Sequence, residues 1–92
     1  MTENGVRKLE IVNEKGLHAR ASAKLVEVVE EYDASAEVSK DGISAAGDSI
    51  MGLLMLGAAK GTSIEVQTSG PQAAQLAQAL ADLVADRFGE DC

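Results

Sequence analysis

The apolar residues change period once near the start of this chain, and that change restricts the fold more than any other feature. Lys8 to Asn13 reads K-L-E-I-V-N, with Leu9 and Ile11 alternating against charged neighbours, the period of a half-buried strand. From Ala19 to Tyr32 the apolar positions Ala21, Leu25, Val28, Val29 and Tyr32 instead share one helical face, with Lys24, Glu27, Glu30 and Glu31 toward water. The switch falls on Gly16-Leu17-His18, so the only histidine stands where a strand gives way to a helix.

The pattern continues with two short alternating runs, Ala36 to Lys40 and Ile43 to Ala46, joined by Asp41-Gly42. An Asp-Gly pair between alternating runs predicts a hairpin, because both turn residues then need a positive φ. Ser49 to Leu56 reads as a short helix opened by Gly47-Asp48-Ser49 and ended before Gly61. Ser63 to Thr68 alternates again, with Ile64 and Val66 inward. Gly70-Pro71 then breaks the chain, with Pro71 suited to a first helical turn, and the last helix carries Leu76, Leu80, Leu83, Val84 and Phe88 on one stripe. Residues 89–92 are expected to fray. The order is β-α-β-β-α-β-α. Strands with one polar face predict an α+β fold, an antiparallel or mixed sheet covered by helices on one side only.

Ninety-two residues make a single domain, 1–92. Phe88 and Tyr32 are the only aromatics, so the core is aliphatic and stacking on nucleobases has almost nothing to work with. A net charge of −7 without a basic patch argues against nucleic acid and anionic membranes. The lone Cys92 excludes an intrachain disulfide, one histidine makes a zinc site implausible, and no cofactor is implied. No apolar run is long enough to span a bilayer and no signal-peptide pattern opens the chain, so a soluble cytoplasmic protein is expected.

His18 falls at the N-cap of the first helix. Amides of a first turn lack intrahelical partners, and the helix dipole adds roughly half a positive charge there. Such a place holds an anion and disfavours imidazolium, as Arg20 does, so a neutral, nucleophilic ring is expected at pH 7. A neutral imidazole beside an anion cradle is equipped to accept a phosphoryl group and release it. The plainer reading is an exposed capping residue without chemistry. Ser49 likewise suits a capping position, and phosphate there would add about −1.5 to −2 charge to a surface that otherwise offers apolar contact. Leu53 and Leu56 are assigned to the core. Eight nearly continuous apolar positions exceed what one face of a short helix buries, which leaves Ile50, Met51 and Leu54 as docking candidates.

"GLHARASAKLV" together with "GDSIMGLLMLGAAKG" resembles HPr, the histidine-containing phosphocarriers of the bacterial phosphoenolpyruvate-dependent phosphotransferase system. The likeness spans nearly the whole chain, including "IEVQTSGPQA" before the last helix. It implies an open-faced β-sandwich of four antiparallel strands under three helices, and a stoichiometric carrier rather than a turnover enzyme. His18 then corresponds to the histidine phosphorylated on Nδ1 by enzyme I, and Arg20 to the arginine that attends the phosphohistidine. Ser49 corresponds to the serine phosphorylated by a regulatory kinase. Ile50, Met51 and Leu54 correspond to the helix that docks against enzyme I and the enzyme IIA acceptors. The carrier is expected to be monomeric. Ala21 stands where the family commonly has Pro, and Asp48 where Lys often precedes the serine. "HARAS" and "LLMLGAAKG" look more like the nitrogen-type regulatory branch than the sugar-transport form. The alternative is a small acidic acyl carrier protein: Asp48-Ser49-Ile50 is similar to the Asp-Ser-Leu of those helical bundles, whose serine is modified.

Overall fold

Four runs of alternating residues pair into one antiparallel sheet in the computed structural model, which describes residues 6–91. The elements are β1 (Val6–Glu10), α1 (Ala19–Glu30), β2 (Ser35–Lys40), β3 (Ile43–Ala46), α2 (Ile50–Met55), β4 (Ser63–Ser69) and α3 (Ala73–Ala85), with a final turn at Arg87–Gly89. The sheet order is β1-β4-β2-β3. Leu9 pairs with Ile64, Val38 with Val66, and Val38 again with Ala45 on its other side.

The alternation decides which face is covered. Along β4, Ile64, Val66 and Thr68 are buried while Glu65 and Gln67 are exposed. The three helices cover the apolar face and the opposite face meets water, the α+β arrangement expected. It is not the helical bundle of an acyl carrier, and that alternative falls with it. The core is aliphatic apart from Phe88: Ile11, Leu25, Val38, Leu53, Ile64, Val66, Leu76 and Leu80 are all but fully enclosed.

Asp41 and Gly42 both take positive φ, 52° and 83°, which closes the β2–β3 hairpin as the Asp-Gly pair predicts. Other boundaries differ from the sequence pattern, each for a local reason. β1 leaves the ladder after Glu10, yet Ile11 still donates to the Thr62 carbonyl (2.8 Å) and accepts from Gly61 N–H (2.8 Å). The chain then turns inward and buries Asn13. α1 ends at Glu30, and Tyr32 is only half-buried. α1 also buries Ser22 and Val26, so its covered face is wider than the apolar stripe alone suggests. Pro71 lies before α3 rather than in its first turn, because Asp33 and Gln72 clamp that segment: Gln72 N–H donates to the Asp33 carbonyl (3.0 Å), and Asp33 N–H donates to Gln72 Oε1 (2.7 Å).

The largest correction concerns the C-terminal end. Phe88 is not on the α3 stripe, since α3 stops at Ala85. Arg87, Phe88 and Gly89 all adopt left-handed conformations (φ 56°, 55° and 80°), which reverse the chain and drop the Phe88 ring into the core, fully buried. Enclosing roughly 150–250 Å² of aromatic surface offsets the left-handed cost of about 1–2 kcal/mol per residue. Residues 89–91 are thereby carried back to the start of α1, and Cys92 lies outside the described residues.

Candidate functional site

The site begins with a tight turn. Gly16 holds φ +68° and donates to the Asn13 carbonyl (3.2 Å), while its own carbonyl accepts from His18 N–H (2.9 Å). Leu17 N–H donates to the Ala58 carbonyl (2.8 Å), and the buried Leu17 and Ala21 side chains pin the turn on either side of His18. His18 itself is extended (φ −84°, ψ −174°), and its carbonyl accepts the first helical bond from Ser22 N–H (2.8 Å). This is an N-cap, as the change of period predicts. Ala21 fits the first turn of α1 without the proline common at that place.

The imidazole is held at both nitrogens. Nδ1 accepts from the Arg20 backbone N–H at 3.2 Å, so its lone pair is directed at the open amides of the first turn. Nε2 is bonded to Glu90 Oε2 in the returning C-terminal segment. A ring whose Nδ1 accepts carries its proton on Nε2, and Nε2–H therefore donates to the carboxylate. About a quarter of the His18 side-chain surface remains accessible, at 26%, so the ring is neither sealed nor fully exposed. Around it lie Glu14, Lys15, Arg20, Lys24, Glu90 and Asp91, lining a shallow depression.

Glu90 is fixed from behind. Its Oε1 accepts from Asn13 Nδ2 at 3.0 Å, and the same amide group donates to the Gly16 carbonyl at 2.9 Å. Asn13 is fully buried and its Oδ1 has no partner among the described residues, while both neighbours of Nδ2 are acceptors, which rules out a flipped amide. The Asn13 hydrogen bond holds the Glu90 carboxyl below the usual carboxylate range against the burial that raises it. The hydrogen bond from His18 and the positive charge of Lys15 act in the same direction as Asn13. Glu90 is thus the carboxylate partner that the expectation of a neutral ring did not include.

Sequence reasoning named His18 and Arg20 but not Asn13 or Glu90. Asn13 had a signal: it continues the inward parity of Leu9 and Ile11, and a polar group entering a core needs partners. Glu90 had none, because its approach depends on three successive left-handed residues, two of which are not glycine.

Ser49 stands elsewhere, as the N-cap of α2, its Oγ accepting from Gly52 N–H at 3.0 Å. α2 buries Leu53 and Leu56, as expected of the core pair. Ile50 and Met51 are exposed, Leu54 is half-buried, and Met55, which the sequence reading did not single out, is the most exposed of the four at 76%.

This fold is shared with known proteins. The family described as PTS HPr component phosphorylation site matches residues 6–86. Phosphocarrier protein HPr of Neisseria meningitidis serogroup A is 45% identical over 84 residues, 91% of this chain and 94% of the relative. Phosphocarrier protein NPr of Escherichia coli K12 is 40% identical over 84 residues, 90% of this chain and 93% of the relative. The crystal structure of HPr-C-His from Thermoanaerobacter tengcongensis superimposes with a TM-score of 0.90 at 32% identity, covering 96% of this chain and 99% of that one. The class is an open-faced sandwich with a histidine at a helix start. The chain belongs to the HPr family of the phosphotransferase system.

Proposed function

We propose that this chain is a phosphocarrier: it accepts a phosphoryl group on His18 Nδ1 from phosphoenolpyruvate-charged enzyme I and passes it to an enzyme IIA acceptor. The observation that carries the reading is the Nδ1 lone pair, placed at a helix N-terminus and bonded, among the described residues, only to an amide hydrogen. Its attack on phosphorus forms the N–P bond as the donor's bond to phosphorus breaks, with that electron pair leaving on the donor. The Arg20 amide then transfers its hydrogen bond from Nδ1 to a phosphoryl oxygen, and the Arg20 guanidinium adds positive charge at the same end of the helix. Unloading runs the same exchange in reverse toward the acceptor. The carrier is consumed and regenerated stoichiometrically, needs no cofactor, and works as a cytoplasmic monomer.

Ile50, Met51 and Leu54, with Met55 beside them, form the apolar surface on which donor and acceptor dock. Ser49 is the regulatory phosphorylation site, where the added charge interrupts that surface; Asp48 already places one negative charge beside it. The residues of "HARAS" and "LLMLGAAKG" favour a regulatory output. Among the described residues no helix is long and apolar enough to cross a membrane.

The test is incubation with purified enzyme I and phosphoenolpyruvate. An acid-labile phosphate forms on wild type and not on His18→Ala; its persistence in the variant refutes the assignment.

A further inference from the structure

The carrier reading assigns no work to the Asn13–Glu90–His18 chain of hydrogen bonds, which closes across the whole length of the sequence. We propose that Glu90 is a positioning residue for phosphoryl transfer, its carboxylate holding the proton on His18 Nε2 so that Nδ1 keeps its lone pair free and the ring's developing charge is balanced. The inference rests on the phosphocarrier reading and adds to it a residue beyond the histidine and arginine of the helix start.

The chemistry gives the carboxylate a definite task. When Nδ1 donates its lone pair to phosphorus, the ring becomes positive while Nε2 still carries its hydrogen. A carboxylate on that hydrogen stabilises the charged ring as it forms, in the way a carboxylate behind an imidazole orients and supports it in acyl transfer and metal sites. When the phosphoryl group leaves, the N–P electron pair returns to Nδ1 and the pair reverts to neutral imidazole and carboxylate. Both nitrogens are thereby committed, Nε2 to Glu90 and Nδ1 to the incoming group.

Three observations place Glu90 there by construction rather than by a chance surface encounter. Its side chain is only 15% accessible, less than the ring it serves. Its second oxygen is anchored by Asn13, a fully buried side chain that is itself tied to the Gly16 carbonyl in the turn that sets His18. The segment that delivers it is fixed by Phe88, buried in the core two residues earlier. The other charged groups at the depression are Glu14, Lys15, Arg20, Lys24 and Asp91, and none of these bonds to the ring nitrogens through its side chain.

Gln is the informative replacement. Glu90 faces two donors, Asn13 Nδ2 and His18 Nε2–H, and accepts from both. A glutamine offers one oxygen and one amide group, so it satisfies one donor and opposes the other. If the oxygen stays on Asn13, its NH₂ meets Nε2 and drives the ring proton toward Nδ1, against the Arg20 amide.

The experiment measures ¹⁵N imidazole shifts and the Nε2 proton of the unphosphorylated protein, with single-turnover phosphorylation by enzyme I and phosphoenolpyruvate, for wild type, E90A and E90Q. Wild type should show an Nε2-protonated ring with a hydrogen-bonded, slowly exchanging proton. E90A should lose that protection, and E90Q should in addition shift the tautomer toward Nδ1–H. Both should accept phosphate about tenfold more slowly, the low end for losing a histidine's supporting partner. Unfolding midpoints close to wild type would show that the fold is intact. A wild-type rate in E90A, or a slower rate with an unchanged Nε2 signal, overturns the inference while leaving the carrier assignment standing. A wild-type chain that takes up no phosphate overturns both.

Discussion

Replacing Gly16 by alanine should cost far more than a methyl group suggests, and the structure says where the cost arises. A Cβ at Gly16 would stand 2.4 Å from the Ala58 carbonyl oxygen and 3.0 Å from Ala59 Cα, where ordinary contact begins near 3.4 Å. The obstacle is backbone and cannot rotate aside. Retreat of the Ala58 carbonyl by about 1 Å would also break its 2.8 Å bond from Leu17 N–H, one residue before His18. Left-handed backbone costs an alanine about 1 kcal/mol, and a lost backbone bond about 1 kcal/mol. Overpacking adds roughly 1–3 kcal/mol. The expected loss is about 3–5 kcal/mol, much of the stability of a domain this size. Gly42→Ala is the internal control, because Gly42 is also left-handed (φ +83°) but a Cβ there meets nothing within 4 Å. It should lose only about 1 kcal/mol. Urea unfolding followed by circular dichroism compares the two, and the His18 ring resonances report whether the N-cap has moved. If G16A proves no less stable than G42A, the 58–59 backbone does not fix this turn sterically.

Ser49→Ala removes the Oγ that accepts from Gly52 N–H and should destabilise the fold by about 1 kcal/mol, read from the urea midpoint. Met51→Glu lies on a side chain 71% exposed, so stability should stay within about 0.5 kcal/mol of wild type. Phosphorylation by enzyme I should nevertheless slow about tenfold, the loss expected when an apolar docking contact is replaced by charge. Because Glu90 titrates below the usual carboxylate range in the folded chain, its contribution is fully present above the unfolded value near 4.5 and is lost as pH falls through the lowered one. The stability gap between wild type and Glu90→Gln should therefore be widest at pH 7 and shrink by pH 3, and a gap that is constant or grows toward acid would contradict the assignment.

What was legible in the sequence, and what was not, divides by the range of the interactions responsible. The hairpin could be read because Asp41-Gly42 carries its own φ requirement, and α1 because its period and its cap lie within a few residues. Ser49 as a cap, and Leu53 and Leu56 as core, rest on equally local patterns. The end of α3 could not be read this way: Leu83, Val84 and Phe88 keep a helical spacing, but burial of Phe88 is achieved by leaving the helix through Arg87 and Phe88 in conformations their side chains disfavour. Tertiary burial decided against local pattern. Half of the site inherits that difficulty. His18, Arg20 and Gly16 sit in one short stretch, whereas Glu90 comes within bonding distance of His18 only after the sheet and all three helices have closed.

The strand order has a consequence for the growing chain. β4 lies between β1 and β2, so neither of those strands finds that neighbour until residues 63–69 exist, and Leu9 must wait for Ile64. Only the β2–β3 ribbon can zip as it emerges from the ribosome. The β1–β4 pairing, Val6 with Gln67, spans most of the polypeptide and the β2–β4 pairing, Ser35 with Ser69, a shorter stretch; both form late, at the rate set by closing long loops. Assembly of the histidine's surroundings comes later still, with arrival of the final residues. A nascent chain stalled before Phe88 would already display the motif around His18 while lacking the carboxylate behind it.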